Sequence, residues 1–273
     1  MAFRKALMPV FPSPVHQSAI IARLRAAGCV FAEDEAELLI STARTPDDLT
    51  TMVDQRVAGL PLEHVLGWAE FCGLRIAVDP EVFVPRRRTE FLISQAAALG
   101  GRPPTVVVDL CCGTGAMGAA LAGVLDGVEL HAADLHSAAV RCARRNLAAI
   151  GGQVYEGDLY DPLPATLRDR VDILIASPPY VPTEAIRLLP SEARVHEPLV
   201  ALDGGADGLD VVRRVIVEAP SWLAPGGHLL VETSERQAAR TADAMAAGGL
   251  IPRVARSEEL YATVVIGTKP VEQ

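Results

Sequence analysis

From Pro104 onward, short apolar runs and stretches of helical periodicity take turns along the chain, and few architectures accommodate that alternation. Val106–Asp109, Val128–Ala133, Val154–Tyr155, Val171–Ala176, His228–Glu232 and Tyr261–Ile266 read as strands, rich in β-branched residues and too short for helices. Met117–Leu125, Ser137–Ala149, Val211–Leu223 and Glu235–Ala247 read as helices, with Pro225-Gly226-Gly227 as a turn. Strands separated by helices pair in parallel, with helices covering both faces of the sheet. Such sheets bind ligands at the carboxyl ends of their strands, where the strand order reverses.

The first third lacks this alternation. Apolar spacing predicts helices over 15–27 and 32–44, the second with an acidic first turn. Thr45-Pro46-Asp47-Asp48 predicts a capped third helix reaching about Val57. Residues 70–84, broken by Gly73 and Asp79-Pro80, read as a hairpin connector. The expected domains are 1–66 (helical), 67–88 (connector) and 89–273 (α/β). A net charge of −9 argues against general nucleic-acid binding. No 18-residue apolar run suggests a membrane span, and Arg4 and Lys5 are followed by prolines rather than a signal peptide. Five cysteines without a CxxC pair fit reduced thiols in a cytoplasmic protein, and six scattered histidines suggest no metal.

The chemistry-bearing residues fall at strand ends. Asp109-Leu110-Cys111-Cys112-Gly113-Thr114-Gly115 joins the first strand to the first helix, with Gly118 just beyond. Its glycines let backbone N–H groups approach a ligand. Gly113, Gly115 and Gly118 satisfy the dinucleotide pattern, and Asp134 lies at a suitable distance for a ribose. The alternative is an S-adenosylmethionine (SAM) pocket, favoured by Asp109 on the strand and by Asp158 after the third strand. Leu135 and Leu159 follow Asp134 and Asp158. Ser177-Pro178-Pro179-Tyr180 leaves the fourth strand as a stiff loop whose carbonyls are expected to stay unpaired. Such a rim suits a planar –NH2 group, whose hydrogens need acceptors, while the tyrosine ring flanks it.

Together these residues resemble the HemK/PrmC family of class I SAM-dependent methyltransferases, which methylate a protein glutamine nitrogen. Residues 61–90, His196-Glu197-Pro198, Ala201–Gly205 and Asp207–Asp210 extend the resemblance along most of the chain. It implies a Rossmann-like, mainly parallel seven-stranded sheet with a small N-terminal helical domain that recognises protein substrate. It also implies SAM as cofactor, with S-adenosylhomocysteine as product. Cofactor contacts would come from Asp109, Cys111, Cys112, Gly113, Thr114, Gly115, Asp134, Leu135, Asp158, Leu159 and Ser177. Catalysis would rest on Ser177, Pro178, Pro179 and Tyr180, and substrate binding on these with Arg86, Thr89 and Glu197. The implied partner is a release factor, at the glutamine of its Gly-Gly-Gln motif, or a ribosomal protein, met by a monomeric enzyme.

Three departures from the family pattern stand out: Ser177 replaces Asn, Cys111 replaces Gly, and Arg87-Arg88 replaces a proline and an acid. The arginines suggest either a solvated turn or an altered entrance preferring an acid or phosphate. Three other readings compete: a small-molecule or peptide N-methyltransferase, a DNA amino-methyltransferase, and a SAM-binding adaptor without catalysis.

Overall fold

A computed structural model describes residues 14–100 and 103–271; the segment read for a signal peptide, residues 1–11, lies outside them. Helices α1 (Pro14–Ala26), α2 (Ala32–Thr42) and α3 (Pro46–Val57) pack around Leu24, Ala36, Leu39, Leu49 and Val53, a core of their own. The α3 cap forms as the sequence predicts: Thr45 Oγ1 accepts the Asp48 N–H at 3.1 Å. A short helix α4 (Leu62–Leu66) leads into the hairpin β1 (Trp68–Phe71) and β2 (Leu74–Ala77), which turns at Cys72-Gly73.

Helix α5 (Glu90–Ala97) precedes the alternating region: β3 (Thr105–Leu110), α6 (Ala116–Val124), β4 (Val128–Asp134), α7 (Ser137–Leu147), β5 (Gln153–Glu156) and β6 (Val171–Ala176). Then come α8 (Ser191–His196), α9 (Asp210–Glu218), β7 (Leu223–Thr233), α10 (Ala238–Ala247), β8 (Ile251–Ser257) and β9 (Ala262–Thr268). The seven-stranded sheet has the order β5-β4-β3-β6-β7-β9-β8. Strands β3 to β7 pair in parallel; β9 is antiparallel to both neighbours. One face packs Leu110, Leu174, Val231 and Val265 with α9 and α10; the other packs Val107, Ile173, Leu230 and Ile266 with α5, α6 and α7. Order reverses between β3 and β6, so the glycine loop and the Ser-Pro-Pro-Tyr loop leave neighbouring strands at that point.

Four expectations are corrected. The helix expected over 211–223 ends at Glu218, because Pro220 cannot continue it. Strand β7 begins at Leu223 and absorbs the Pro225–Gly227 turn as a register shift opposite Val171 and Ile173. Strand β8 was unforeseen: it is a sheet edge carrying Pro252, Arg253 and Arg256, composition that protects an edge but obscures strand alternation. Helices α4 and α5 also escaped the sequence reading.

Candidate active site

A cavity of about 1330 Å³ opens at the carboxyl ends of β3, β4, β6 and β7. That is room for a nucleoside cofactor and an acceptor together. On one side the Asp134 carboxylate organises the glycine loop. Its Oδ2 accepts the Gly113 N–H and its Oδ1 the His136 N–H, both at 2.8 Å. Each oxygen keeps a lone pair, so two ribose hydroxyls fit the remaining capacity. Burial raises the Asp134 pKa against the pull of these N–H groups. Cys111 takes φ +54°, a left-handed conformation that costs a non-glycine residue about 1–2 kcal/mol. Cys112, Thr114, Leu135 and Leu159 line the same space. Asp158 lines it too, but in an ion pair with Arg214 at 2.8 Å.

Two residues expected at the cofactor do not line the cavity. Gly115 turns the chain into α6, with φ +76°. Asp109 is fully buried; its Oδ2 accepts the Gly118 N–H at 3.0 Å, which makes it a cap for α6. Its other oxygen has no partner. Burial, with Asp134 nearby, raises its pKa to about 8 from the ordinary 3.8, against the Gly118 bond. Between those two values the folded chain holds a proton that the unfolded chain has released. Stability therefore falls as pH rises, by up to about 1.4 kcal/mol per pH unit from this group. Urea midpoints measured from about pH 5 to about pH 8.5 should fall, and Asp109→Asn should remove this group's share of the slope.

On the other side, Ser177–Tyr180 leaves β6 and is held from behind. Gln237 Nε2 donates to the Tyr180 carbonyl at 2.9 Å and to the Asp207 carbonyl at 3.1 Å. One carbonyl of the loop is thus paired, contrary to expectation. Among the described residues Ser177 Oγ and the Pro178 carbonyl have no hydrogen-bond partner. Val181 exchanges backbone bonds with Leu202 and Gly204 at 3.0 and 2.9 Å. This approach requires glycine: a Cβ on Gly204 would lie 2.7 Å from the Pro179 oxygen, and one on Gly208 2.3 Å from the Tyr180 oxygen.

The Tyr180 hydroxyl accepts from Arg88 Nη2 at 2.6 Å and donates to Glu232 Oε1 at 3.2 Å. Burial, then Glu232, pushes its pKa well up, so it stays a phenol. Thr89, buried, lines the cavity beside Arg86. Arg86 donates to Glu197 Oε1 at 2.5 Å, and the same oxygen takes the Val84 N–H at 3.2 Å. The sequence reading missed Glu232, Gln237 and the anchoring of Arg88. A signal existed for Glu232: it is an acid ending a buried strand, like Asp134.

Residues 75–197 match the methyltransferase small domain. The chain is 38% identical over 200 residues to the release factor glutamine methyltransferase of Geobacter sulfurreducens, covering 71% of this chain and 68% of that protein. The chain belongs to the HemK/PrmC family of SAM-dependent methyltransferases. Another relative, 35% identical over 222 residues, is the 4-amino-L-phenylalanine/4-methylamino-L-phenylalanine methyltransferase of Streptomyces pristinaespiralis, covering 79% of this chain and 75% of that one. A methyltransferase from Pyrococcus furiosus shares the fold with a TM-score of 0.54 at 17% identity, over 73% of this chain and 90% of that one. The family's cofactor is SAM, and the residues present fit it: Asp134 offers acceptors for a ribose diol, and the Asp158 carboxylate lines the same space. No described helix is long and apolar enough to cross a membrane, and no metal-binding cluster occurs among the described residues.

Proposed function

We propose that this chain methylates the side-chain nitrogen of the glutamine in the Gly-Gly-Gln motif of a peptide chain release factor. One observation carries the reading: two open acceptors, Ser177 Oγ and the Pro178 carbonyl, stand beside a clamped aromatic ring on the cavity wall. The two N–H groups of a primary amide can donate to them, which holds the nitrogen at the rim and fixes its orientation. Bound SAM supplies an electrophilic methyl on a sulfonium. An amide nitrogen is a weak nucleophile, so rate depends on orientation, and the protein's share is positioning. Tyr180 walls the site, its hydroxyl held by Arg88 and Glu232. Tyr180→Ala should lower kcat about a hundredfold and SAM affinity far less, measured by turnover and by calorimetry.

In this reading residues 1–66 recognise the protein acceptor, 67–88 connect, and 89–273 catalyse. Arg56, 8% exposed, supports the link: it joins Glu35 of α2 at 2.6 Å to Glu192 of α8 at 2.5 Å, and Glu192 lines the cavity. The enzyme would act as a cytoplasmic monomer, in keeping with five free cysteines.

A second reading is N-methylation of a small amine, as in the relative named for 4-amino-L-phenylalanine. Ser177 favours it, because its arm is shorter than the family's asparagine and leaves more room at the rim. Methyl-labelled SAM, the purified enzyme and an extract from a strain lacking it separate the two. Label in one protein band supports the glutamine reading; label only among small molecules replaces it with the second.

A further inference from the structure

Arg88 has a role that methyl transfer at the rim does not use up. Its Nε donates to Glu232 Oε1 at 3.2 Å and its Nη2 to the Tyr180 hydroxyl at 2.6 Å. Glu232 is 3% exposed, so the guanidinium is anchored on a fixed base along one edge. The other edge is free: among the described residues Nη1 has no acceptor, and the side chain is 47% exposed on the cavity wall. A guanidinium pinned on one side and open on the other is a preorganised receptor for a planar anion.

Two other arginines line the cavity, each facing a carboxylate of its own. Arg214 is engaged by Asp158 at 2.8 Å, and Arg256 has Glu235 at 3.9 Å. Asp134 and Glu258 add negative charge on the other walls. Arg86, next along the Arg88 wall, lies 4.8 Å over the Phe83 ring and is held by Glu197. A carboxylate close to the Ser177–Tyr180 rim is thus drawn to the Arg86–Arg88 wall, since Arg88 stands on the Tyr180 hydroxyl.

We propose that Arg88 binds a carboxylate carried by the methyl acceptor and sets the acceptor's distance from the Ser177–Tyr180 rim. This rests on the N-methyl-transfer reading of the site. The carboxylate is either that of an acidic residue close to the target glutamine or that of a free amino acid; both present the same planar anion.

The test is calorimetry on the S-adenosylhomocysteine complex of the wild type and of Arg88→Gln. One pair of probes is 4-aminophenylalanine and 4-(2-aminoethyl)aniline, which lacks the carboxylate. The other is a Gly-Gly-Gln peptide flanked by Asp and the same peptide flanked by Asn. The wild type should prefer the carboxylate member of one pair by about tenfold to a hundredfold, and Arg88→Gln should bring that ratio close to unity. The discriminated pair identifies the source. If Arg88→Gln only displaced Tyr180, both members would weaken together and the ratio would persist. A wild type that discriminates neither pair, or a variant that discriminates as strongly, overturns the proposal. Methyl transfer measured on the same probes is a separate readout: transfer without discrimination refutes the carboxylate site alone, and discrimination without transfer refutes the methylation reading alone.

Discussion

Asp134→Ala should weaken SAM binding by about a hundredfold or more. The carboxylate does two things at once. It receives the Gly113 and His136 N–H groups at 2.8 Å each, which fixes the loop after β3 against the end of β4. It also keeps two free lone pairs in the cavity, which match the two ribose hydroxyls of SAM. Truncation leaves two backbone donors unpaired and removes the acceptors for the diol; hydrogen bonds to a charged group are worth about 1.5–3 kcal/mol each. Asp134→Asn should rescue little, because its NH2 would face one of the two N–H donors. Calorimetry of SAM against wild type and both variants checks this, and retention of affinity within about threefold would remove Asp134 from the cofactor site.

Gly208→Ala should do the reverse: reduce turnover by about a hundredfold while leaving SAM affinity nearly intact. At φ +75° the added methyl would lie 2.3 Å from the Tyr180 carbonyl oxygen and 2.4 Å from Gln237 Nε2. Neither can yield easily, since Gln237 is 7% exposed and the Tyr180 carbonyl belongs to the Ser-Pro-Pro-Tyr loop itself. The loop must shift outward, and Tyr180 then loses its register with Arg88 and Glu232. The left-handed backbone adds about 1–2 kcal/mol of destabilisation, which a thermal melt would read. Activity and cofactor affinity falling in parallel would mean that the two walls of the cavity are not independent.

The sheet and the two ligand loops were legible because each is encoded locally. Val171–Ala176 is an apolar run ended by Ser-Pro-Pro-Tyr, and the strand has those bounds. Asp134 sits where a buried strand ends, and an acid there stands out. Long-range partners were not legible. Nothing near Arg88 in sequence points to Glu232, 144 residues away, or to the hydroxyl of Tyr180, 92 away. Asp109 shows a related limit: an acid on a buried strand reads as a ligand, and only the fold shows the Gly118 N–H at the start of α6 on one of its oxygens. Likewise Asp207–Asp210 and Ala201–Gly205 were visible as motifs, whereas their physical purpose, backbone packed directly on the Ser-Pro-Pro-Tyr loop, needed the fold.

The most direct measurement is tandem mass spectrometry of a purified release factor after incubation with the enzyme and SAM, beside a Tyr180→Ala control. One added methyl is expected on the side-chain nitrogen of the Gly-Gly-Gln glutamine, nearly absent with the variant. An unmodified glutamine, with an enzyme that binds SAM normally, would contradict it.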